Sequence, residues 1–415
     1  MSQLQLTYLR NNYSLLAATE SCSHYFFFLN NSGDVYEMCD YNISCYYESP
    51  AEEFRGLSVL MLDCWQREYD KRPYRHFRFV RLDFEERFKR EYYPTKDFPH
   101  IVYFMQWRRL SSVQLVGFRI YTMLDGFVEA LTNLKRIELK LMDLPLLFFQ
   151  LFRDKINNIH VEELSLEGTH LTDDVVLCLR SLLIKSKSLL YINVGNCGIT
   201  QYNFVELADG IHKSESIVGF NCNRILGKRL SLDSDKITHI VSSLIWQNKL
   251  QEIEMQHCEF IAQDMEIIAE YMYHKCSRLR KINFANNKIG PDGALYLLKA
   301  IVSSGTLTHL DLSGCGLGSH GGEIVAKYFS SCYTLQYLNI CFNNINSAAV
   351  NCILLTIKKP IKLHKLQLYG NKYNPETGNI LRRLLGSGVL LQDNIDLTTT
   401  FDDTIPGFRV IPWRP

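Results

Sequence analysis

Little in this sequence points to chemistry. Lysine and arginine total 45 against 44 aspartates and glutamates, a net charge of +1. A nucleic-acid binder normally carries a basic excess or a basic stripe, so the balance argues against that class. No Cys-x-x-Cys pair occurs among the 13 cysteines, which removes the usual zinc and redox spacings. His257-Cys258 and His274-Cys276 come nearest to a ligand pair, and Cys258 falls on a position read below as core. Gly-x-Ser-x-Gly, His-Glu-x-x-His and Gly-x-x-x-x-Gly-Lys are all missing. The glycine run Gly314-Cys-Gly-Leu-Gly318 reads as a tight turn. No stretch of 18 apolar residues exists, and Leu141 to Phe152 is interrupted by Asp143 and Pro145. Met1 to Arg10 lacks a basic segment followed by an apolar one, so no secretory leader is expected. The sequons at Asn12, Asn30 and Asn42 then read as chance matches, and an odd set of free thiols fits a reducing compartment. Catalysis, a cofactor, a metal, a membrane span and a small-molecule substrate are therefore not expected.

What the sequence does have is self-similarity. Leu307-Thr-His-Leu310-Asp-Leu312-Ser-Gly-Cys315-Gly-Leu317 fits the template L-x-x-L-x-L-x-x-N/C-x-L. Equivalent copies start at Leu279, Leu335 and Leu363, a constant step of 28 residues. Leu250, Leu189 and Val161 open further copies, Ile217 opens a degenerate one, and Leu134 and Leu110 open two more. Extra residues after the degenerate copy place an insertion near 224–235. The x-Leu-x-Leu alternation has period two and reads as a short strand with its apolar side chains inward. The ninth position, Asn287, Asn343 and Asn371 or Cys197, Cys258 and Cys315, is placed to cap backbone groups where the chain leaves the strand. The second half of each copy has helical spacing: Ala294, Leu297, Leu298 and Ile301 after Pro291-Asp292-Gly293, for example.

This is a leucine-rich repeat, and its length resembles the ribonuclease-inhibitor type. The expected fold is α/β: a curved leucine-rich-repeat solenoid with parallel strands on the concave face, helices outside and a mainly helical N-terminal cap. The expected divisions are a polar-aromatic segment over 1–50, the helical cap over 51–105, about ten repeats over 106–385, and an extended tail over 386–415. In the cap, Phe77, Val80, Arg81, Phe84 and Phe88 stand at helical spacing. In the tail, Trp413 is a candidate contact, either folded back on the last helix or docked on a partner.

Function in such a stack rests on the strand positions that point away from the core. Those read as a protein-binding face are Glu163, Glu167, Tyr191, Asn193, Glu252, Glu254, Lys281, His309, Asp311, Tyr337, Asn339, Lys365 and Tyr369. Its first half is acidic and its last repeat basic and aromatic. No lysine or arginine run tracks a phosphate backbone along it. The tyrosines among polar neighbours favour a protein interface.

The block ahead of the repeats narrows the choice. Leu62-Asp-Cys64-Trp65-Gln-Arg67-Glu-Tyr69, with Phe79-Val-Arg81-Leu-Asp-Phe84-Glu85-Glu-Arg87-Phe88, resembles the leucine-rich-repeat subunits of the nexin–dynein regulatory complex. Arg81, Phe84, Glu85 and Arg87 match that family's K-R-x-F-F-E-R segment. Its tryptophan is replaced here by Phe79 or Val80 and its histidine by Phe88. The resemblance implies a structural scaffold of the ciliary or flagellar axoneme. Its partners would be the other subunits of that complex and axonemal proteins, with an effect on dynein-driven motility. Two alternatives stand beside it. Ser49-Pro50-Ala51-Glu52 with Leu57 to Tyr69 looks like an F-box ahead of a substrate-binding horseshoe, which implies a ubiquitin-ligase adaptor. A generic leucine-rich-repeat enzyme inhibitor would favour a more uniformly acidic concave wall.

Overall fold

The computed structural model describes residues 75–413 apart from 90, 109, 226–233, 248, 274–277, 359–362 and 402–406. Ahead of 75 it describes Leu62 and a short antiparallel pairing of Phe28–Leu29 with Val35–Tyr36. Most of the 1–50 segment, the F-box-like stretch 49–69 (Leu62 aside) and most of the insertion near 224–235 lie outside the described residues.

Eleven strands form one parallel sheet in strict chain order. They are His76–Val80 (β1), Ser112–Val116 (β2), Arg136–Lys140 (β3), Glu163–Ser165 (β4), Tyr191–Asn193 (β5) and Gly219–Asn221 (β6), followed by Glu252–Glu254 (β7), Lys281–Asn283 (β8), His309–Asp311 (β9), Tyr337–Asn339 (β10) and Lys365–Gln367 (β11). From β4 onward each is only three residues long, because one inward side chain per strand suffices to seal each layer. That residue is Leu164, Ile192, Phe220, Ile253, Ile282, Leu310, Leu338 or Leu366, each at most 4% exposed. They stand in exact register: Ile253 opposite Ile282, then Leu310, Leu338 and Leu366.

A helix follows each of these eleven strands, β11 included. The helices that matter below are Arg81–Phe88 (α1), Gly290–Ser304 (α2), Gly318–Phe329 (α3), Ser347–Thr356 (α4) and Pro375–Gly386 (α5). Their starts are set by ordinary capping chemistry. Pro291 occupies the first turn of α2. The Asn346 and Asn374 side chains accept from the backbone N–H groups of Ala349 and Thr377, each cap being worth about 1 kcal/mol. Strands repeat at about 4.8 Å, while packed helices need 8–10 Å. A parallel stack with one helix per strand therefore bends with its strands on the concave side.

Asparagine at the turn holds neighbouring layers together. Asn287, Asn343 and Asn371 are buried. Asn287 accepts from the N–H groups of Cys258 and Phe260 (2.9 and 3.2 Å) and donates to the carbonyls of Met255 and Phe284 (2.9 and 2.7 Å). Where the repeat has cysteine, only the donor half is reproduced: the Cys315 thiol donates to the Phe284 carbonyl at 3.2 Å, and Cys197 to Leu166 at 3.1 Å.

Two expectations at the ends change. The helical cap over 51–105 is not helical at 76–80. Those residues form β1, paired in register with β2 from His76↔Ser112 to Val80↔Val116, so the sheet begins one unit before 106. Phe77 and Phe79 point inward and are fully buried. Phe79 stacks on Phe118 of the next unit at 5.3 Å. The chain passes from β1 straight into α1, so a period-two segment and a helical one merge into what reads as a single helix. The tail over 386–415 starts on the last residue of α5 and makes a 3-10 turn at Gln392–Asn394 before its extended part, which is not solitary. Leu397–Phe401 (β12) pairs antiparallel with Phe408–Pro412 (β13). This hairpin folds back on the last helix, with the Arg382 guanidinium of α5 lying 3.9 Å over the Phe408 ring. Asp396 ahead of it accepts from the N–H groups of Leu368 and Tyr369 (2.9 and 3.0 Å), as the asparagine of a further repeat would.

Candidate functional site

All thirteen residues read as a binding face lie on the open side of the sheet or on the turn just beyond it. In the three-residue strands the central residue is buried and the flanking positions are partly or fully exposed, except that Gly219 of β6 is buried. Parallel pairing without a slip puts them in two rows. One runs Glu163, Tyr191, Gly219, Glu252, Lys281, His309, Tyr337, Lys365. The other runs Ser165, Asn193, Asn221, Glu254, Asn283, Asp311, Asn339, Gln367.

The acidic first half is not bare. Arg136 of β3 donates to Glu163 at 2.8 Å. Lys140 sits between Glu138 and Glu167, 3.2 Å from each. Lys281 pairs with Glu252 at 2.6 Å. Exposed pairs of this kind contribute about 0–1 kcal/mol each, so they shape the surface more than they hold the fold. Arg136, Glu138 and Lys140 were missed by reading the face only from Glu163 onward. The x-Ile-x-Leu alternation of Ile137 and Leu139 carried the signal for them.

At the middle of the face a depression of about 510 Å³ opens between Arg136 and Lys281. Gly219 makes it possible. A Cβ there would meet the Tyr191 ring at 2.1 Å, so the ring lies across the glycine. The Tyr191 hydroxyl thereby reaches Glu252, two strands away, and burial and that carboxylate push its pKa up. Beside it, Asn221 donates to Glu254 at 2.7 Å. Burial raises the Glu254 pKa, and the Glu252 carboxylate adds to the shift.

The sign of that shift gives a prediction. A carboxyl whose folded pKa lies above its unfolded value binds protons more tightly when folded, so stability falls as pH rises between the two values. Glu254 thus costs stability at neutral pH and ceases to do so below the ordinary glutamate range. Glu254→Gln keeps the acceptor for Asn221 and should melt higher than the native chain at pH 7. The two melting temperatures should converge on acidification toward pH 4. A gap independent of pH would show that Glu254 is not held in its costly ionised form.

Toward the C-terminal end the face turns aromatic. His309 stacks on Tyr337 at 5.7 Å, and the Tyr337 hydroxyl donates to Gln367 at 2.6 Å. Asn339 donates to Asp311 at 2.8 Å. Phe342, which the alternation did not mark, and Tyr369 meet edge to face at 5.4 Å. Trp413 reaches the same edge from the hairpin. Among the described residues no group of three or more His, Cys, Asp or Glu is placed to hold a metal ion, and no helix is long and apolar enough to cross a membrane.

Comparison with known proteins agrees with this geometry. The family model described as "Leucine Rich repeat" matches residues 275–298 and 304–325, across β8 and β9 with α2 between them. The chain is a leucine-rich-repeat protein. Among similar proteins, human leucine-rich repeat-containing protein 14 is 26% identical over 136 residues, covering 32% of this chain and 27% of that protein. Mouse protein NLRC5 is 29% identical over 110 residues, covering 26% of this leucine-rich-repeat chain and 5% of its own. Human NACHT, LRR and PYD domains-containing protein 13 is 23% identical over 216 residues, 51% and 20% of the two chains. The matches thus span about a quarter or less of these relatives' lengths. Of solved structures, an internalin from Listeria monocytogenes has a TM-score of 0.37 at 14% identity, covering 66% of this chain and 78% of that one.

Proposed function

We propose that this leucine-rich-repeat protein is a non-catalytic scaffold that binds partner proteins along its open face, as a subunit of the nexin–dynein regulatory complex in motile cilia or sperm flagella. The observation that carries the binding reading is the face of eleven strands that no described residue covers, on which Tyr191, Tyr337 and Tyr369 stand among polar neighbours. Aromatic residues of this kind anchor interfaces because they bury large areas at low entropic cost. The axonemal reading is supported by the segment that resembles that complex's leucine-rich-repeat subunits. Phe84 is fully buried there, and Glu85 accepts from the N–H of Tyr92 at 3.0 Å. The resemblance therefore rests in part on residues that build the first unit of the stack. The mixed charge of the face, with its acids matched by Arg136, Lys140 and Lys281, speaks against a uniformly acidic inhibitor wall.

The test is fractionation. In flagellated cells the tagged full-length chain should stay with demembranated axonemes in low salt and leave in high salt with other regulatory-complex subunits. A chain found only in the soluble cytosol ends the axonemal reading. The combined Tyr191→Ala, Tyr337→Ala and Tyr369→Ala variant should melt close to the native chain yet lose at least about thirty-fold in partner affinity, the effect of removing one strong anchor or more. Undiminished binding by that variant would move the interface off this face.

A further inference from the structure

The open face ends in a concavity of about 340 Å³, between β11 and the C-terminal hairpin, whose lining includes Phe342, Tyr369, Pro412, Trp413, Asp393 and Lys365. We propose that it receives an arginine side chain from an extended segment of a partner protein. This deepens the reading of the open face as a protein-binding surface and rests on it.

The pocket is built in advance of any ligand. Phe342 lies just past β10 in the left-handed region (φ 54°). Its ring rests on Gly370, where a Cβ would come within 2.4 Å of it. Gly370 itself has φ +78°, so glycine is required there on both counts. The Tyr369 ring meets Phe342 at 5.4 Å and 88°. A single residue ties the tyrosine to the tryptophan: Asp396 accepts the Tyr369 N–H through its carboxylate (3.0 Å) and the Trp413 N–H through its carbonyl (2.8 Å). Yet the rings stay in water, Phe342 63%, Tyr369 37% and Trp413 38% exposed. Three adjacent exposed aromatics, each fixed by backbone contacts, are unusual unless something lies on them.

The chemistry of the lining selects the occupant. Aromatic faces attract cations, and a guanidinium stacks on them while keeping its donors free at the rim. Carboxylates outnumber ammonium groups here, Asp393 and Asp396 against Lys365. The Asp396 carboxylate is already engaged, by the Leu368 and Tyr369 amides and by the Cys341 thiol at 3.3 Å. That of Asp393 is exposed and makes no ion pair among the described residues. An arginine stacked on Tyr369 or Trp413 would bring its fork to Asp393. Asn339 and Ser313 at the rim are already bonded to Asp311, but a purely apolar side chain would displace water from the Asp393 carboxylate and offer it no donor, which costs free energy. The row ending in Lys365 leads straight into the concavity, so a segment lying along the face arrives there extended.

The experiment selects twelve-residue peptides from a random display library on the full-length chain, then measures the recovered peptides by fluorescence polarisation. Recovered peptides should share an arginine, and citrulline in its place, neutral and of the same shape, should weaken binding at least tenfold. Trp413→Ala should weaken it to a similar degree and Asp393→Asn several-fold, while Lys299→Ala, exposed on α2 and off the open face, leaves it unchanged. Asp393 is exposed, so its variant reads the pocket even if Trp413→Ala disturbs the hairpin. Peptides that lack a cation, tolerate citrulline or ignore both pocket variants would overturn the inference, as would recovery of no binder. Peptides that need Tyr191 but not Trp413 or Asp393 would overturn it while leaving the wider face as the binding surface.

Discussion

Leu310→Asp is expected to unfold the C-terminal half of the stack at temperatures where the native chain is intact. Leu310 is fully buried in β9 and faces Ile282 and Leu338 across the sheet. Truncating such a leucine alone costs about 2–5 kcal/mol. An aspartate there adds a carboxylate with no partner, which must either protonate or draw in water, and either outcome adds to the cost. In a linear stack each unit is held mainly by its two neighbours, so losing one layer removes an interface from both adjacent repeats. Hydrogen exchange should show protection lost across β8 to β11 and α2 to α4. It should persist in the phenylalanine-rich units around Phe79, Phe118 and Phe127. His309→Asp, on the same strand but the open side, is the control and should stay within about 0.5 kcal/mol of the native chain. Equal melts for the two aspartate variants would contradict the inward and outward assignment of the whole row.

That assignment was legible before any coordinates, because it depends on one periodicity repeated at a fixed step. A strand with period two and a helix with period 3.6 leave distinct marks, and a shift of one residue would turn every Leu310-like side chain into water. The features that escaped lie where the period fails or where contacts join residues of different repeats. β1 uses Phe77 and Phe79 in place of leucines and runs into α1 without a turn, so its alternation is masked by the helical spacing that follows. Gly219 falls within the copy that reads as degenerate. Its role appears only when Tyr191, one strand earlier, is seen to lie across it. Asp396 stands outside any recognisable template, yet it closes the last layer by accepting two backbone amides. Of the face, the strand residues were readable because alternation defines them. Phe342 was not, since it follows the strand on a left-handed turn that the template does not specify. The pairing of Glu163, Glu167 and Glu252 with Arg136, Lys140 and Lys281 was likewise hidden, because it joins residues 27 to 29 apart in the chain that carry no signal of their own.

The turn asparagines make the second large prediction, because they satisfy groups that no water can reach. Asn343 is 1% exposed. Its oxygen accepts from the N–H groups of Cys315 and Leu317 (2.9 and 3.2 Å), and its nitrogen donates to the carbonyls of Leu312 and Cys341 (2.8 and 3.1 Å). Asn343→Leu fills much the same space but orphans two buried donors and removes a donor from two carbonyls. An unsatisfied buried group costs about 1–3 kcal/mol, and neighbouring losses do not simply add. The variant should lose about 2–4 kcal/mol in a denaturant melt. Asn343→Cys imitates what the chain itself does at Cys315, whose thiol donates to the Phe284 carbonyl but supplies no oxygen acceptor. It should keep the contact to Leu312, lose the acceptor for Cys315 and Leu317, and fall between the native chain and Asn343→Leu. That order separates hydrogen bonding from packing. If volume alone mattered, the smaller cysteine would leave the larger void and be the worse replacement, so a cysteine variant less stable than the leucine variant would overturn the account.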